Sequence, residues 1–288
     1  MPELPEVETI RRELAPELAR RRIRAVRVHH DDLILGPASP AEFARAVRGR
    51  VIGEAARRAK VLLLPLHDPA RAEAPAPSLI RVQLRMTGRF WLAASPPDPA
   101  EFRHPGIDLA LDDGRTLYYD DVRRLGGFEV LRAETWAEIE RDLGPEPLEA
   151  GFTGARLAGI LAGRRAPIKN VLLDQRRVAG VGNIYASEAL FRARIDPRRP
   201  AGSLGPTEVA RLQRAIRGVL RAAIRGSGTT VSSYRAMNGR SGTFQNELRA
   251  YGREDEPCVR CRTPVERVVQ AGRSTYFCPR CQPRSRSA

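Results

Sequence analysis

The stretch CVRCRTPVERVVQAGRSTYFCPRC, residues 258–281, holds all four cysteines of the chain. They form two CxxC pairs, Cys258 with Cys261 and Cys278 with Cys281, sixteen residues apart. Each pair offers two sulfurs one metal-sized bite apart, and the spacing matches a four-thiolate zinc site. Disulfides are the competing use, which a reducing cytosol disfavours. Four sulfurs around a tetrahedral ion leave no position for a catalytic water, so the expected Zn2+ is structural. Between the pairs, Val265, Val268 and Val269, then Thr275, Tyr276 and Phe277, read as two short strands. Ala271-Gly272-Arg273-Ser274 supplies the turn and puts Arg273 at the tip of a zinc-bound hairpin. An arginine there is either solvated or, on a basic protein, a group that enters DNA.

The rest of the chain is strongly basic. Its 288 residues carry 49 Lys and Arg against 34 Asp and Glu, a net charge of +15. Such an imbalance favours a polyanionic partner. The basic residues are dispersed and no basic amphipathic helix stands alone, which favours nucleic acid over a membrane surface. No run of about 18 apolar residues exists to span a membrane. The acidic N-terminus lacks the apolar core of a signal peptide, so the expected location is the cytosol. Only Lys60 and Lys169 are lysines; every other basic residue is Arg. Codon preference explains the arginines. The two lysines are then either chance survivors or positions that need a compact cation able to exchange a proton.

The apolar pattern divides the chain. Val7, Ile10, Leu14 and Leu18 predict a helix over 6–21. Short apolar runs follow at 23–28, 51–52, 61–66, 79–84, 90–92, 107–111, 117–119 and 128–131, separated by Gly, Pro and Asp turns such as Asp112-Asp113-Gly114. Many short strands at regular spacing predict a β-sandwich or barrel. After Leu143-Gly144-Pro145 the period becomes helical, with segments at 152–161, 168–174, 183–194 and 207–225. The last carries Arg211, Arg214, Arg217, Arg221 and Arg225 on its outer faces, where solvation is their default role. The expected fold is α+β and multidomain. An N-terminal β-sandwich with flanking helices spans 1–135, a hinge 136–150, a helical DNA-binding domain 151–249 and the zinc hairpin 250–288.

Two short segments carry chemistry. QRRVAGVG, 175–182, joins two helices through Gly180 and Gly182. Glycines let backbone amides approach a phosphate, and Asn183 opens the next helix, whose N-terminus favours anions. Such turns are common, so this one alone is a weak signal. MPELPEVETI, 1–10, is the second. A helix start explains its Pro and Glu residues. Yet Pro2 is small enough for Met1 to be trimmed, which would leave a prolyl secondary amine. An α-amino group has a pKa near ~8, so roughly a tenth is neutral at pH 7, against below about 0.1% for a lysine. The field of the helix behind it lowers that pKa further. Such an amine is a ready nucleophile for a sugar C1′ or an aldehyde, and Glu3 beside it can move protons.

MPELPEVET, RRAK at 57–60, LGPEP at 143–147, GVGNIYASEALF at 180–191, FQNELRAYGR at 244–253 and the CxxC–x16–CxxC ending together resemble the formamidopyrimidine-DNA glycosylase family, in family order over essentially the whole chain. Leu4, where the related endonuclease VIII enzymes typically have Gly, favours the formamidopyrimidine branch. The resemblance implies a bifunctional glycosylase and AP lyase of base excision repair that removes oxidised purines such as 8-oxoguanine and formamidopyrimidines and cleaves the strand by β,δ-elimination. Pro2 would form the iminium. Glu3 would donate the proton for ring opening or base loss, and Glu6 would orient the site. Lys60 would bind phosphate and donate a proton during strand cleavage. Lys169 and Asn183 would contact phosphate at a helix–two-turn–helix clamp, and Arg273 would bind the lesion's phosphates and support δ-elimination. His104, Arg124 and Arg164 match further DNA contacts.

Extruding a base costs a few kcal/mol, and apolar wedges usually fill the gap. The family's wedge set of Met, Arg and Phe matches Met86, Arg123 and Leu125, the last a departure. Arg85 also replaces a usual Gly. The loop 227–243 would cover the flipped base. The expected partner is damaged double-stranded DNA, bound by a monomer at the bacterial nucleoid, with no membrane involvement. Two alternatives stand beside this reading. One is an enzyme of the same fold for oxidised pyrimidines. The other is a damage-sensing DNA-binding module without catalysis, which the Pro2, Glu3 and Lys60 set argues against.

Overall fold

The computed structural model describes residues 2–71, 73–230 and 236–284. The chain forms two compact units, Met1–Arg141 with Gly226–Thr243, and Asp142–Arg225 with Phe244–Ala288.

The first unit opens with α1, Leu4–Leu18, whose Val7, Ile10, Leu14 and Leu18 are fully buried. It starts two residues before the expected Glu6 because Glu3 takes the N-cap and Pro5 fits the first turn. It ends at Leu18, shortly after Pro16, and not at Arg21. β1, Ile23–Val28, follows, and then α2, Pro40–Val47. α2 begins with a capping box of Ser39 and Glu42, a signal present in SPAE but overlooked among the strands. The further strands are β2, Val51–Ile52; β3, Ala56–Arg58; β4, Val61–His67; β5, Ser78–Gln83; β6, Gly88–Ala93; β7, Pro105–Leu111; β8, Thr116–Asp121; and β9, Gly127–Arg132. α3, Ala133–Arg141, extends into the stretch expected to be a hinge.

These strands form two antiparallel sheets, ordered β1-β7-β8-β6 and β2-β4-β5-β9, with β3 paired to β4. The expected sandwich is therefore present. Alternate residues face the space between the sheets. Phe43 of α2 enters it and meets Phe128 at 6.3 Å; Tyr119 packs on Phe128 at 4.9 Å and Phe90 on Tyr119 at 5.3 Å. All four are at most 1% exposed, and truncating any of them to Ala would cost about 3–5 kcal/mol.

The chain crosses between these sheets twice at the same end. β5 leads into β6 through 84–87, and β8 into β9 through 122–126. The flanking pairs Gln83↔Gly127 and Gly88↔Asp121 set the two crossings side by side.

The second unit contains α4, Gly154–Leu161; α5, Ile168–Leu173; α6, Asn183–Ala193; and α7, Pro206–Arg225, each within two residues of its expected bounds. α7 buries Val209, Leu212, Ile216, Val219, Leu220 and Ala223 against its neighbours. Two of its arginines do more than meet solvent. Arg211 donates to Ala193 O at the end of α6, and Arg217 to Glu149 O. β10, Glu266–Gln270, and β11, Arg273–Phe277, make the zinc hairpin. Its turn is only Ala271-Gly272, both at positive φ, so Arg273 is the first residue of β11 and not part of the turn. Gly226–Thr243 lies inside the span 151–249 expected as one helical domain and is grouped with the first unit.

Candidate functional site

In the first unit the site begins at the buried Pro2. The N–H of Glu3 donates to Glu6 Oε2 at 2.8 Å, and Glu6 Oε1 accepts from the Thr229 N–H, also at 2.8 Å. Glu3 and Glu6 are each 2% exposed. One carboxylate thus fixes the peptide just after Pro2 and ties it to a segment more than two hundred residues away. Sequence reasoning had Glu6 in an orienting role but could not name Thr229. Met1 and residues 231–235, within the loop expected to cover a flipped base, lie outside the described residues.

Lys60 lies in the two-residue turn between β3 and β4, with Ala59 at φ 52°. α1 packs on this hairpin. Glu8, which sequence reasoning missed, supplies the clasp. It bonds Arg11 at 2.9 Å and Arg12 at 2.7 Å on its own helix, and Arg57 of β3 at 3.2 Å. Arg57 then donates to Ala59 O at 2.8 Å, next to Lys60. Burial raises the Glu8 pKa, but the hydrogen bonds and charges of Arg11, Arg12 and Arg57 outweigh it and hold the carboxyl at about 2. The ET-I-RR spacing after Glu8 was the available signal.

The two crossings carry the wedge candidates. Met86 sits on the first, Arg123 and Leu125 on the second. Among the described residues five large hydrophobics are exposed, and three of them, Met86, Val122 and Leu125, share these turns. Arg123 Nη1 reaches Met86 Sδ at 3.0 Å. Arg124, at φ 47°, bonds His30 at 3.1 Å, and the exposed His104 borders this end through its N–H to Asp120. A cluster of exposed apolar side chains beside arginines, at one end of a sandwich, is suited to entering a base stack.

In the second unit Gln175 braces the glycine turn. Its Oε1 accepts from Gly180 N–H at 2.8 Å, and its Nε2 donates to Val181 O at 2.9 Å. Gly180 has φ 80°, and Gly182 N-caps α6. Asn183 begins α6, and its Nδ2 donates to Ser274 O at 3.0 Å. Lys169, the ammonium expected at a phosphate, is fully buried and donates to Ser274 O at 2.9 Å and Thr275 Oγ1 at 2.7 Å. A buried cation is tolerable only with such partners, and here it grips the strand that carries the exposed Arg273. Arg164 folds back onto Ile160 O at 2.6 Å and caps α4. Glu188 was also missed: its Oε1 accepts the N–H groups of Arg249, Ala250 and Tyr251, which anchors the approach to the zinc hairpin on α6.

The four cysteine sulfurs all lie within 4.8 Å of one another. Cys258 and Cys281 are 3.9 Å apart, Cys261 and Cys278 3.4 Å. Sulfurs at ~2.3 Å from a tetrahedral zinc sit roughly 3.8 Å apart, so the donor set and spacing fit. This is a structural Zn2+ site.

Comparison with known proteins agrees with this geometry. The model described as "Formamidopyrimidine-DNA glycosylase N-terminal domain" matches residues 1–128. "Formamidopyrimidine-DNA glycosylase H2TH domain" matches 143–234, and "Zinc finger found in FPG and IleRS" matches 255–284. The formamidopyrimidine-DNA glycosylase of Chloroflexus aurantiacus is 45% identical over 282 residues, 98% of each chain. That of Moorella thermoacetica is 48% identical over 93% of this chain and 94% of its own. Among solved structures, MutM (FPG) of Thermus thermophilus superposes with TM-score 0.84 at 42% identity, covering 99% of this chain and 100% of that one. A mutant Lactococcus lactis FPG in complex with Fapy-dG-containing DNA gives 0.87 at 31% identity, covering 98% of this chain and 100% of that one. Sequence, fold and zinc site together make the chain a member of the formamidopyrimidine-DNA glycosylase family.

Proposed function

We propose that this protein is a bifunctional DNA glycosylase and AP lyase of base excision repair, acting as a cytoplasmic monomer on damaged double-stranded DNA. The observation that carries the proposal is the fixed N-terminus: Pro2 and Glu3 are buried at the head of α1, locked by Glu6 between the Glu3 and Thr229 amides. A solvated helix start has no need of such a lock, whereas a nucleophile must be held within a fraction of an ångström. Full-length likeness to glycosylases, including a Lactococcus lactis enzyme bound to Fapy-dG DNA, supports oxidised and ring-opened purines as substrates.

With Met1 removed, the lone pair of the Pro2 nitrogen attacks C1′ of the extruded nucleotide. The C1′–base bond breaks, and the base leaves with a proton. Glu3 supplies the proton that opens the sugar ring, and an iminium joins Pro2 to C1′. Loss of a proton from C2′ expels the 3′ phosphate; a second elimination expels the 5′ phosphate. Lys60 donates a proton and meets phosphate in these steps. Asn183, the 180–183 turn and Arg273 hold the backbone phosphates. The Zn2+ takes no part in the chemistry and keeps the hairpin folded.

The test is borohydride trapping of untagged protein on an 8-oxoguanine duplex, with mass mapping of the adduct. A covalent adduct on Pro2 is expected. Tight binding with no adduct on that duplex or on an abasic duplex would leave a sensing module; an adduct confined to oxidised-pyrimidine duplexes would replace the purine assignment.

A further inference from the structure

Asp121 is the last residue of β8, and its carboxylate is fully buried at the end of the sandwich where the chain crosses between sheets. Each oxygen accepts two hydrogen bonds. Oδ1 takes the Thr87 hydroxyl, at short range, and the Arg123 N–H at 3.3 Å. Oδ2 takes the Gly126 N–H at 2.8 Å and the Tyr119 hydroxyl at 3.2 Å. These donors come from three places: the first crossing, the second crossing and the aromatic core. The Thr87 hydroxyl also accepts from the Arg123 N–H at 3.1 Å, so it links the crossings in both directions.

The glycines show how tightly this knot is drawn. A Cβ on Gly126 would lie 2.2 Å from Tyr119 Oη and 2.9 Å from Asp121 Oδ2. One on Gly88 would lie 2.4 Å from the same Tyr119 oxygen. Tyr119 itself is pinned against Phe90 and Phe128. Burial and then the Asp121 charge push the Tyr119 pKa well above its ordinary value, which keeps the phenol protonated as a donor. A carboxylate is costly to bury, and simple packing of a strand end does not call for one. Three of its four hydrogen bonds come from the segments that display Met86, Arg123 and Leu125, and the fourth from Tyr119 of the core.

We propose that Asp121, through Thr87, is the positioning residue of the wedge: it locks the two crossings into one rigid unit, so that base extrusion depends on it while the covalent chemistry at Pro2 does not. The proposal rests on the glycosylase and lyase reading above. A wedge that must separate stacked bases needs a stiff mount, because energy absorbed by a yielding loop is not available to break stacking.

Two variants of the full chain test it. Thr87→Val keeps the volume and removes the hydroxyl link; Asp121→Asn keeps the shape and replaces one acceptor oxygen by a donor. Each is assayed in single-turnover excision on an 8-oxoguanine duplex, in strand cleavage on a preformed abasic duplex, and by the fluorescence of 2-aminopurine beside the lesion. Excision should slow by about 10–100-fold, the span expected for one charge-assisted hydrogen bond. Cleavage of the abasic duplex, where no base needs extruding, should stay within about 2-fold, and the 2-aminopurine signal should fall in step with excision. Should Asp121→Asn not fold, Thr87→Val alone decides. Equal slowing on both substrates, or excision unchanged, overturns the proposal. A wild-type protein inert on abasic DNA would instead sink the lyase reading on which it rests.

Discussion

Replacing Glu8 by glutamine should destabilise the first unit by an amount that depends on pH. The folded carboxyl titrates at about 2 instead of 4.5, because three arginines hold its charged form. That difference corresponds to about 3 kcal/mol if fully realised. Arg12 is 59% exposed, so water screens part of the interaction, and about 1–2 kcal/mol remains. The sign follows from the lowered pKa. Above the unfolded value of 4.5 both states are ionised and the full contribution is present; as pH falls from 4.5 toward 2 the unfolded state takes up the proton first and the contribution drains away. Thermal unfolding followed by circular dichroism should show the variant melting about 2–8 °C below wild type at pH 7. The gap should be the same at about pH 5, fall to about half near pH 3, and close by about pH 2. A gap that stays constant across that range, or none at pH 7, would refute the assignment of the low pKa to the arginine clasp.

Further outcomes are expected elsewhere. An uncleaved N-terminal tag should abolish borohydride trapping on Pro2, since it blocks the amine; full activity of a tagged protein would contradict the nucleophile. Cys278→Ser should lose zinc, read by metal analysis, and lesion binding together; normal affinity without zinc would break that link. Lys169→Met should retain zinc but shift strand-cleavage products from δ- toward β-elimination severalfold, because the strand bearing Arg273 loses its buried anchor; an unchanged product ratio counts against that role. Leu125→Ala should slow excision from the lesion duplex, and Leu125→Phe should speed it by about tenfold through stacking; no response to either would remove Leu125 from the wedge.

Features with a local signature were legible. α7 shows its period over five turns, the strands show short apolar runs between turn residues, and the zinc hairpin announces itself in four cysteines. Motif residues such as Pro2, Glu3 and Lys60 could be named as candidates. What escaped has a physical pattern of its own. Thr229, Asp121 and Glu188 act through partners brought near by folding, and nothing at their own positions marks those partners; Glu8 had a local signal in Arg11 and Arg12, but none for Arg57. Lys169 stood out as a rare lysine, but its burial and its bonds to Ser274 O and Thr275 Oγ1 of the hairpin join segments more than a hundred residues apart, which no local pattern announces. α2 was missed for a different reason, since eight residues within a run of strands carry too few turns for a period to emerge.

The bond between Glu6 and Thr229 also has a consequence in time. It spans 223 residues, and translation makes its two ends in a fixed order. At roughly 5–20 residues per second, the interval between them is roughly 10–45 s. Throughout it the nascent chain already carries Pro2 but lacks the amide that completes the lock on its neighbour. Products of stalled or truncated synthesis that end before residue 229 therefore hold the proposed nucleophile without this clasp. For the glycosylase and lyase proposed here, a lock completed more than two hundred residues after its first half ties the ordered site to a chain that has already reached Thr229.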